Sequence, residues 1–156
     1  MSCVRLLELR VARRNTRWAT AVGGVECGRR LHPVMIVLHV GLLTGILAES
    51  ALAHRPFVPA LGGPALAVVI LAQAGRWWCM RSLGPRWNTR IVVVPGMPLV
   101  HHGPYRRLRH PNYLVVVAEG IALPLVCTAW STALLFTLLN TVFLAVWIRV
   151  ENAALA

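Results

Sequence analysis

"WSTALLFTLLNTVFLAVWI", Trp130 to Ile148, runs nineteen residues without one charged side chain. A helix needs roughly 20 mostly apolar residues to cross about 30 Å of hydrocarbon, so this stretch reads as a membrane span. Its one amide, Asn140, suits a contact between helices. Working back along the chain, three more apolar stretches appear. "VMIVLHVGLLTGILAESALA" (Val34–Ala53) and "ALGGPALAVVILAQAGRWWCM" (Ala60–Met80) are also long enough to cross. "LVVVAEGIALPLVCTA" (Leu114–Ala129) is shorter and holds Pro124, which predicts a tilted, kinked or partly enclosed helix. The 156-residue chain is 57% hydrophobic and 13% charged, far from a soluble average. The fold class is therefore all-α: a polytopic integral membrane helical bundle with four visible spans.

Charge sets the topology. The net charge is +11, every basic side chain is Arg, and there is no Asp. Residues 1–30 hold seven Arg and residues 76–110 hold seven more, whereas the loop between the first two spans has only Arg55. By the positive-inside rule both basic regions face the cytoplasm, with two crossings between them. Two further crossings return Arg149 and Glu151 to that side. Trp77, Trp78 and Trp87 fit an interfacial belt. The apolar content directs this positive charge to membrane lipid rather than nucleic acid. One domain, 1–156, is expected. It divides into a basic segment (1–30), a first helical hairpin (31–80), a cytoplasmic loop (81–113), a second hairpin (114–148) and a C-terminal segment (149–156).

The basic segment lacks the apolar run and cleavage site of a secretory signal. "VRLLELRVARRNTRW" reads as a helix with Leu6, Leu7, Leu9 and Val11 on its apolar positions and Arg10, Arg13, Arg14 and Arg17 on one side. It is either a surface helix on anionic lipid or the cytoplasmic end of a longer one. The four cysteines form no metal-binding spacing and read as packing residues.

No glycine-rich turn follows a strand-like run, and there is no P-loop, HExxH or GxSxG, so a Rossmann cofactor site is not expected. The loop is more informative. Pro95, Pro98, Pro104 and Pro111 interrupt helices there. Irregular backbone beside a bilayer must be buried in protein or line a wet cavity, where it can meet a polar ligand. "GPYRRLRHPNY" (Gly103–Tyr113) admits three readings: a solvated loop, a lipid-headgroup anchor or a binding site. His101, His102 and His110 lack nearby carboxylates, so no metal is expected. Glu49 and Glu119 lie within apolar stretches, and intramembrane carboxylates are candidate functional groups. Glu151 follows the last span. It is either a helix-end partner of Arg149 or an acceptor for a cationic ligand.

"HGPYRRLRHPNY" (His102–Tyr113), an apolar hairpin and "RVENAAL" (Arg149–Leu155) together resemble the isoprenylcysteine carboxyl methyltransferase family. "RRNTRWA" (Arg13–Ala19), "GGVECG" (Gly23–Gly28) and "GPRWNTR" (Gly84–Arg90) resemble its bacterial branch, often linked to type III polyketide synthases. The resemblance implies an integral membrane enzyme using S-adenosylmethionine in a non-Rossmann pocket at the cytoplasmic end, in a bacterial inner membrane. It implies O-methylation of a lipophilic substrate, a long-chain alkylpyrone or alkylresorcinol, with carboxyl methylation of a prenylcysteine as the alternative. A non-catalytic anchor on anionic lipid is the rival of another class.

Matched residue by residue, the cofactor positions are Leu99, Val100, Tyr105, His110, Pro111, Asn112, Tyr113 and Glu151. Arg149, His110 and Arg109 are the expected catalytic groups, and Arg106 or Arg107 can also face an acceptor anion. Two departures stand out. The family's substrate-linked Arg, four residues before the Glu, is here Trp147. The family pattern also has a complete apolar helix before "ELRVARRN", so the chain is expected to begin inside it, with a fifth span in the full pattern.

Overall fold

A computed structural model describes residues 2–54 and 56–155. Arg55, the single charge of the first inter-span loop, lies outside them. Five helices dominate: α1 (Ser2–Ala21), α2 (Leu31–Leu52), α3 (Pro59–Leu83), α4 (Pro111–Val126) and α5 (Trp130–Leu155). Two short strands, β1 (Val25–Cys27) and β2 (Ile91–Val93), pair antiparallel, with Glu26 opposite Val92. The chain is an all-α polytopic membrane protein, and α2, α3 and α5 are long and apolar enough to cross a bilayer. At sixteen residues α4 is about 24 Å long, so the third apolar stretch forms a shorter helix, as its length predicts.

One helix, α2, does not pack mainly on its neighbour in sequence. α3 packs along α4, α4 along α5, and α2 against α5. The expected first hairpin is thus a neighbour pair in sequence only, and α2 finds its partner in α5. Leu42 and Ile46 of α2 meet Phe136 of α5. Gly45 lets α2 approach closely, because a Cβ there would sit 2.9 Å from Thr132 Cγ2. Glu49 at the end of α2 accepts hydrogen bonds from the backbone N–H groups of Ser131 (3.1 Å) and Thr132 (2.8 Å). These donors have no partner within their own helix, so Glu49 caps α5 and favours its N-terminal dipole. That structural task accounts for one of the two intramembrane carboxylates.

Glu119 has another. It is buried and forms an ion pair with Arg76 of α3, itself buried. Glu8 of α1 stands 3.9 Å from Arg76 Nε and accepts a hydrogen bond from Gln73 at 2.9 Å. One guanidinium therefore links α1, α3 and α4. Burial of charge is costly unless it is paired, and this pairing fixes the three helices in register.

α1 runs beside the last turns of α3. Glu8 is level with Gln73 and Arg76, while the amide of Asn15 donates to Gly84 O (3.1 Å) and Trp87 O (2.7 Å). Its buried stripe is Glu8, Ala12, Asn15 and Ala19, a spacing of four, three and four residues. Leu6, Leu7, Leu9 and Val11 are exposed instead. A helix in lipid inverts the soluble pattern: small and polar residues face protein, and leucines face hydrocarbon. The two tryptophan-bearing motifs meet here, because Thr16 also donates to Asn88 at 2.8 Å.

The paired strands were not foreseen. They close the basic end of the bundle, with Ile91 packed among Phe143, Leu144 and Trp147. Gly28, at φ +62°, turns the chain from β1 into α2, and a Cβ there would meet Val150 at 3.1 Å. Glu26 on β1 pairs with Arg90 at 3.1 Å, tying the strands together from outside.

Candidate functional site

Pro111 starts α4 at its first position, where a missing N–H costs nothing. The preceding residue, His110, has non-helical dihedrals (φ −133°, ψ 59°), so its ring leaves the helix and lies against Tyr113 with centroids 5.3 Å apart. Across the hairpin, the last three turns of α5 carry Trp147, Glu151 and Asn152. Four residues make just over one helical turn, so Trp147 and Glu151 share a face. The groups then interlock. Trp147 Nε1 donates to Tyr113 Oη at 2.9 Å, and Tyr113 in turn donates to Glu151. His110 stands between Glu151 (Nδ1 to Oε2, 3.5 Å) and Asn152 (Nε2 to Oδ1, 3.0 Å).

Gly103–Arg106 forms a single 3₁₀ turn laid against the end of α3. Gly103 has φ +60°, and any Cβ there would run into Ser82 Oγ. This close approach sets Tyr105 beside Cys79. Burial, and then the neighbouring Cys79 and Glu151, push the Tyr105 phenol above its ordinary pKa, so it stays protonated. Arg86 donates to Pro98 O, holding the extended segment that leads into this turn.

Sequence-expected residues therefore divide. Tyr105, His110, Tyr113 and Glu151 come together, and Pro111 is buried at their base. Asn112 lies next to them with Oδ1 buried and, among the described residues, without a hydrogen-bond partner, an acceptor suited to a ligand. Val100 is half-buried and Leu99 exposed in the extended loop before the turn. Arg109 and Arg149 are exposed. Among the described residues, no hydrogen bond or ion pair links either of them to Glu151. Two positions separate Arg149 from Glu151, about 200° around the helix, so the two do not share a face. Arg149 is thus on another side from Trp147.

Trp147, Asn152 and Cys79 belong to the cluster although no site role was expected of them. Trp147 and Glu151 at i and i+4 was the legible signal. Cys79 is brought in only by tertiary packing.

The group has acceptors suited to donors of a polar, cationic ligand: the Glu151 carboxylate and Asn112 Oδ1, with the His110 ring held between Glu151 and Asn152. It sits where α4 and α5 reach the basic end, behind apolar walls of Phe143, Leu144 and Val117. Comparison with known proteins agrees. The family model for isoprenylcysteine carboxyl methyltransferases matches residues 65–156, which include every residue of this cluster. The chain is similar to the uncharacterized protein YpbQ of Bacillus subtilis, at 40% identity over 97% of this chain and 89% of that one. It is similar also to an uncharacterized protein of Haemophilus influenzae, at 26% identity over 98% and 89%. No solved structure matches. By the family model and its spread over the site, the chain belongs to the isoprenylcysteine carboxyl methyltransferase family.

Proposed function

We propose that the chain is a membrane methyltransferase that moves the methyl group of S-adenosylmethionine onto an oxygen of a lipophilic acceptor. Family membership carries membrane methyltransferase activity with that donor. The finer reading, an enol or phenol oxygen of a long-chain alkylpyrone or alkylresorcinol, rests on one observation. Where the family pattern has a substrate-linked Arg, this chain has Trp147, buried and committed to Tyr113. A free carboxylate acceptor calls for a bidentate cation, and this turn of α5 offers none on the Glu151 face.

When bound, S-adenosylmethionine supplies an electrophilic methyl group on a sulfonium. The protein's task is to orient and to exclude water. Glu151 and Asn112 Oδ1 would accept hydrogen bonds from the cofactor's amino and hydroxyl groups. Trp147 holds the Tyr113 hydroxyl, which fixes the Glu151 carboxylate in one rotamer. Tyr105 closes the side toward α3. Of the expected catalytic groups, His110 is held at the pocket, where it positions Glu151. Arg109, with Arg106 and Arg107, stands on the loop able to stabilise the anion of an ionised acceptor. Arg149 would meet an acceptor only from the outer side of α5. The cofactor end faces the cytoplasm, as the arginine distribution expects, and the acceptor enters laterally from the bilayer. A type III polyketide synthase would supply such an acceptor.

A labelled-methyl assay in mixed micelles tests this reading, with an alkylpyrone, an alkylresorcinol and a farnesylcysteine derivative as acceptors. Label is expected in the pyrone or resorcinol. Label in the prenylcysteine alone would replace the oxygen-ring reading with carboxyl methylation.

A further inference from the structure

Away from the methyl-donor cluster, a cleft of about 350 Å³ opens between α3 and α4, but it is almost wholly apolar and faces where lipid tails lie. A second cleft, of about 300 Å³, has a different character. It lies between α1 and the basic end of α3, continuing onto the turn Gly84–Arg86. Val11, Trp77 and Met80 form one part of its wall, while Arg14 and Arg81 form another, with Asn15, Gly84 and Pro85. Among the described residues, no carboxylate lines it.

The division follows depth. Leu6, Leu7 and Leu9, one turn earlier on α1, are exposed as lipid-facing side chains are. Arg13, Arg14 and Arg17 follow on the same helix, with Arg81 at the end of α3 and Arg86 in the turn after it. The cleft thus straddles the boundary between hydrocarbon and headgroup, where Trp and Arg are favoured. An occupant must offer an anion to two guanidinium groups and an alkyl chain to Val11, Trp77 and Met80. A polar nucleotide would leave the apolar wall uncovered, and a neutral lipid would leave the two arginines unmatched.

We propose that this cleft is a specific site for an anionic phospholipid of the surrounding leaflet. The phosphodiester sits between Arg14 and Arg81, and the first part of an acyl chain runs over Trp77 and Met80. The walls are prearranged without the lipid. Asn15 is fixed to Gly84 and Trp87, and Ala12 packs on Met80 and Trp87, so α1 is already held at the required distance from α3. The occupant then bridges α1 and the end of α3 with its turn. It is independent of whether methyl transfer occurs.

Tryptophan quenching by brominated lipid tests the proposal on the full chain in phosphatidylcholine micelles. The probes are phosphatidylglycerol and phosphatidylcholine brominated at the same position near the headgroup. Phosphatidylglycerol should quench at a lower mole fraction, by on the order of tenfold, given two cationic contacts. The difference should largely vanish in Trp77→Phe, which reports location with both arginines intact, and in Arg14→Gln/Arg81→Gln. Arg13→Gln/Arg17→Gln removes the same charge outside the cleft and should keep most of the selectivity. Equal quenching by the two lipids in the native chain would overturn the site. So would equal loss in the two double variants, since diffuse attraction to the basic surface would then explain the effect. If Arg14→Gln/Arg81→Gln does not fold, Trp77→Phe decides: undiminished selectivity in it excludes lipid in this cleft.

Discussion

Tyr113 on α4 donates its hydroxyl proton to Glu151 on α5, joining two residues 38 apart in sequence. The same oxygen accepts from Trp147 Nε1 at 2.9 Å, so one phenol orders an indole and a carboxylate. Removing that hydroxyl frees Glu151 and leaves the Trp147 N–H unsatisfied in a buried setting. An unsatisfied buried donor costs about 1–3 kcal/mol. Tyr113→Phe is therefore expected to weaken S-adenosylmethionine binding by about tenfold to hundredfold, measured by calorimetry in detergent, with helix content unchanged by circular dichroism. Unchanged affinity would remove Tyr113 from the site.

The Arg76 pair is structural and should behave differently. Removing one member of a buried ion pair leaves the other charge unmatched and costs about 3–5 kcal/mol. Arg76→Ala should sharply lower the unfolding midpoint in detergent. Arg76→Met combined with Glu8→Gln and Glu119→Gln should recover much of it, because no unmatched charge remains. A triple variant as unstable as the single one would refute the electrostatic account.

Tyr105 offers a pH test, since the chain has only two tyrosines. In Tyr113→Phe the absorbance at 295 nm reports Tyr105 alone. An unfolded tyrosine ionises near pH 10. Burial, Cys79 and Glu151 raise the folded value, so folded protein should show no phenolate at that pH, while denatured protein titrates. The sign follows from linkage. With the folded pKa raised, stability from this group is complete below about pH 10 and declines as pH climbs toward the folded value. Coincident folded and unfolded titrations would mean that Tyr105 is solvated.

Gly103 connects fold to site. Its positive φ and its approach to Ser82 leave no room for a side chain. Gly103→Ala should shift the turn that carries Tyr105. The expected result is a loss of cofactor affinity of about tenfold, with a small change in melting midpoint. Gly103→Ala combined with Ser82→Gly relieves the contact but not the backbone strain, so recovery should be partial. Full activity in the single variant would show that the turn position is unimportant.

The helices were legible because apolar length is written locally, and hydrocarbon forces backbone pairing within each segment. The cluster at His110, Tyr113 and Glu151 was legible through motif and helix spacing. The pairing of α2 with α5 was not, because the apolar surfaces of spans resemble one another and no periodicity names a partner. The strands Val25–Cys27 and Ile91–Val93 escaped notice for another reason. Each has three residues, and they pair across a separation that no local pattern records. The leucines of α1 misled for a third: apolar residues mark the lipid side in this environment, and Glu8 marks the interior.

The central claim is that Glu151, Asn112, Tyr105 and Tyr113 together hold S-adenosylmethionine. Equilibrium dialysis of the labelled cofactor against folded protein in detergent tests it most directly. Saturable binding in the micromolar range is predicted for the native chain, weakened at least tenfold in Glu151→Gln and unaffected by Arg149→Gln. Absence of saturable binding by natively folded protein, or undiminished binding by Glu151→Gln, would contradict it.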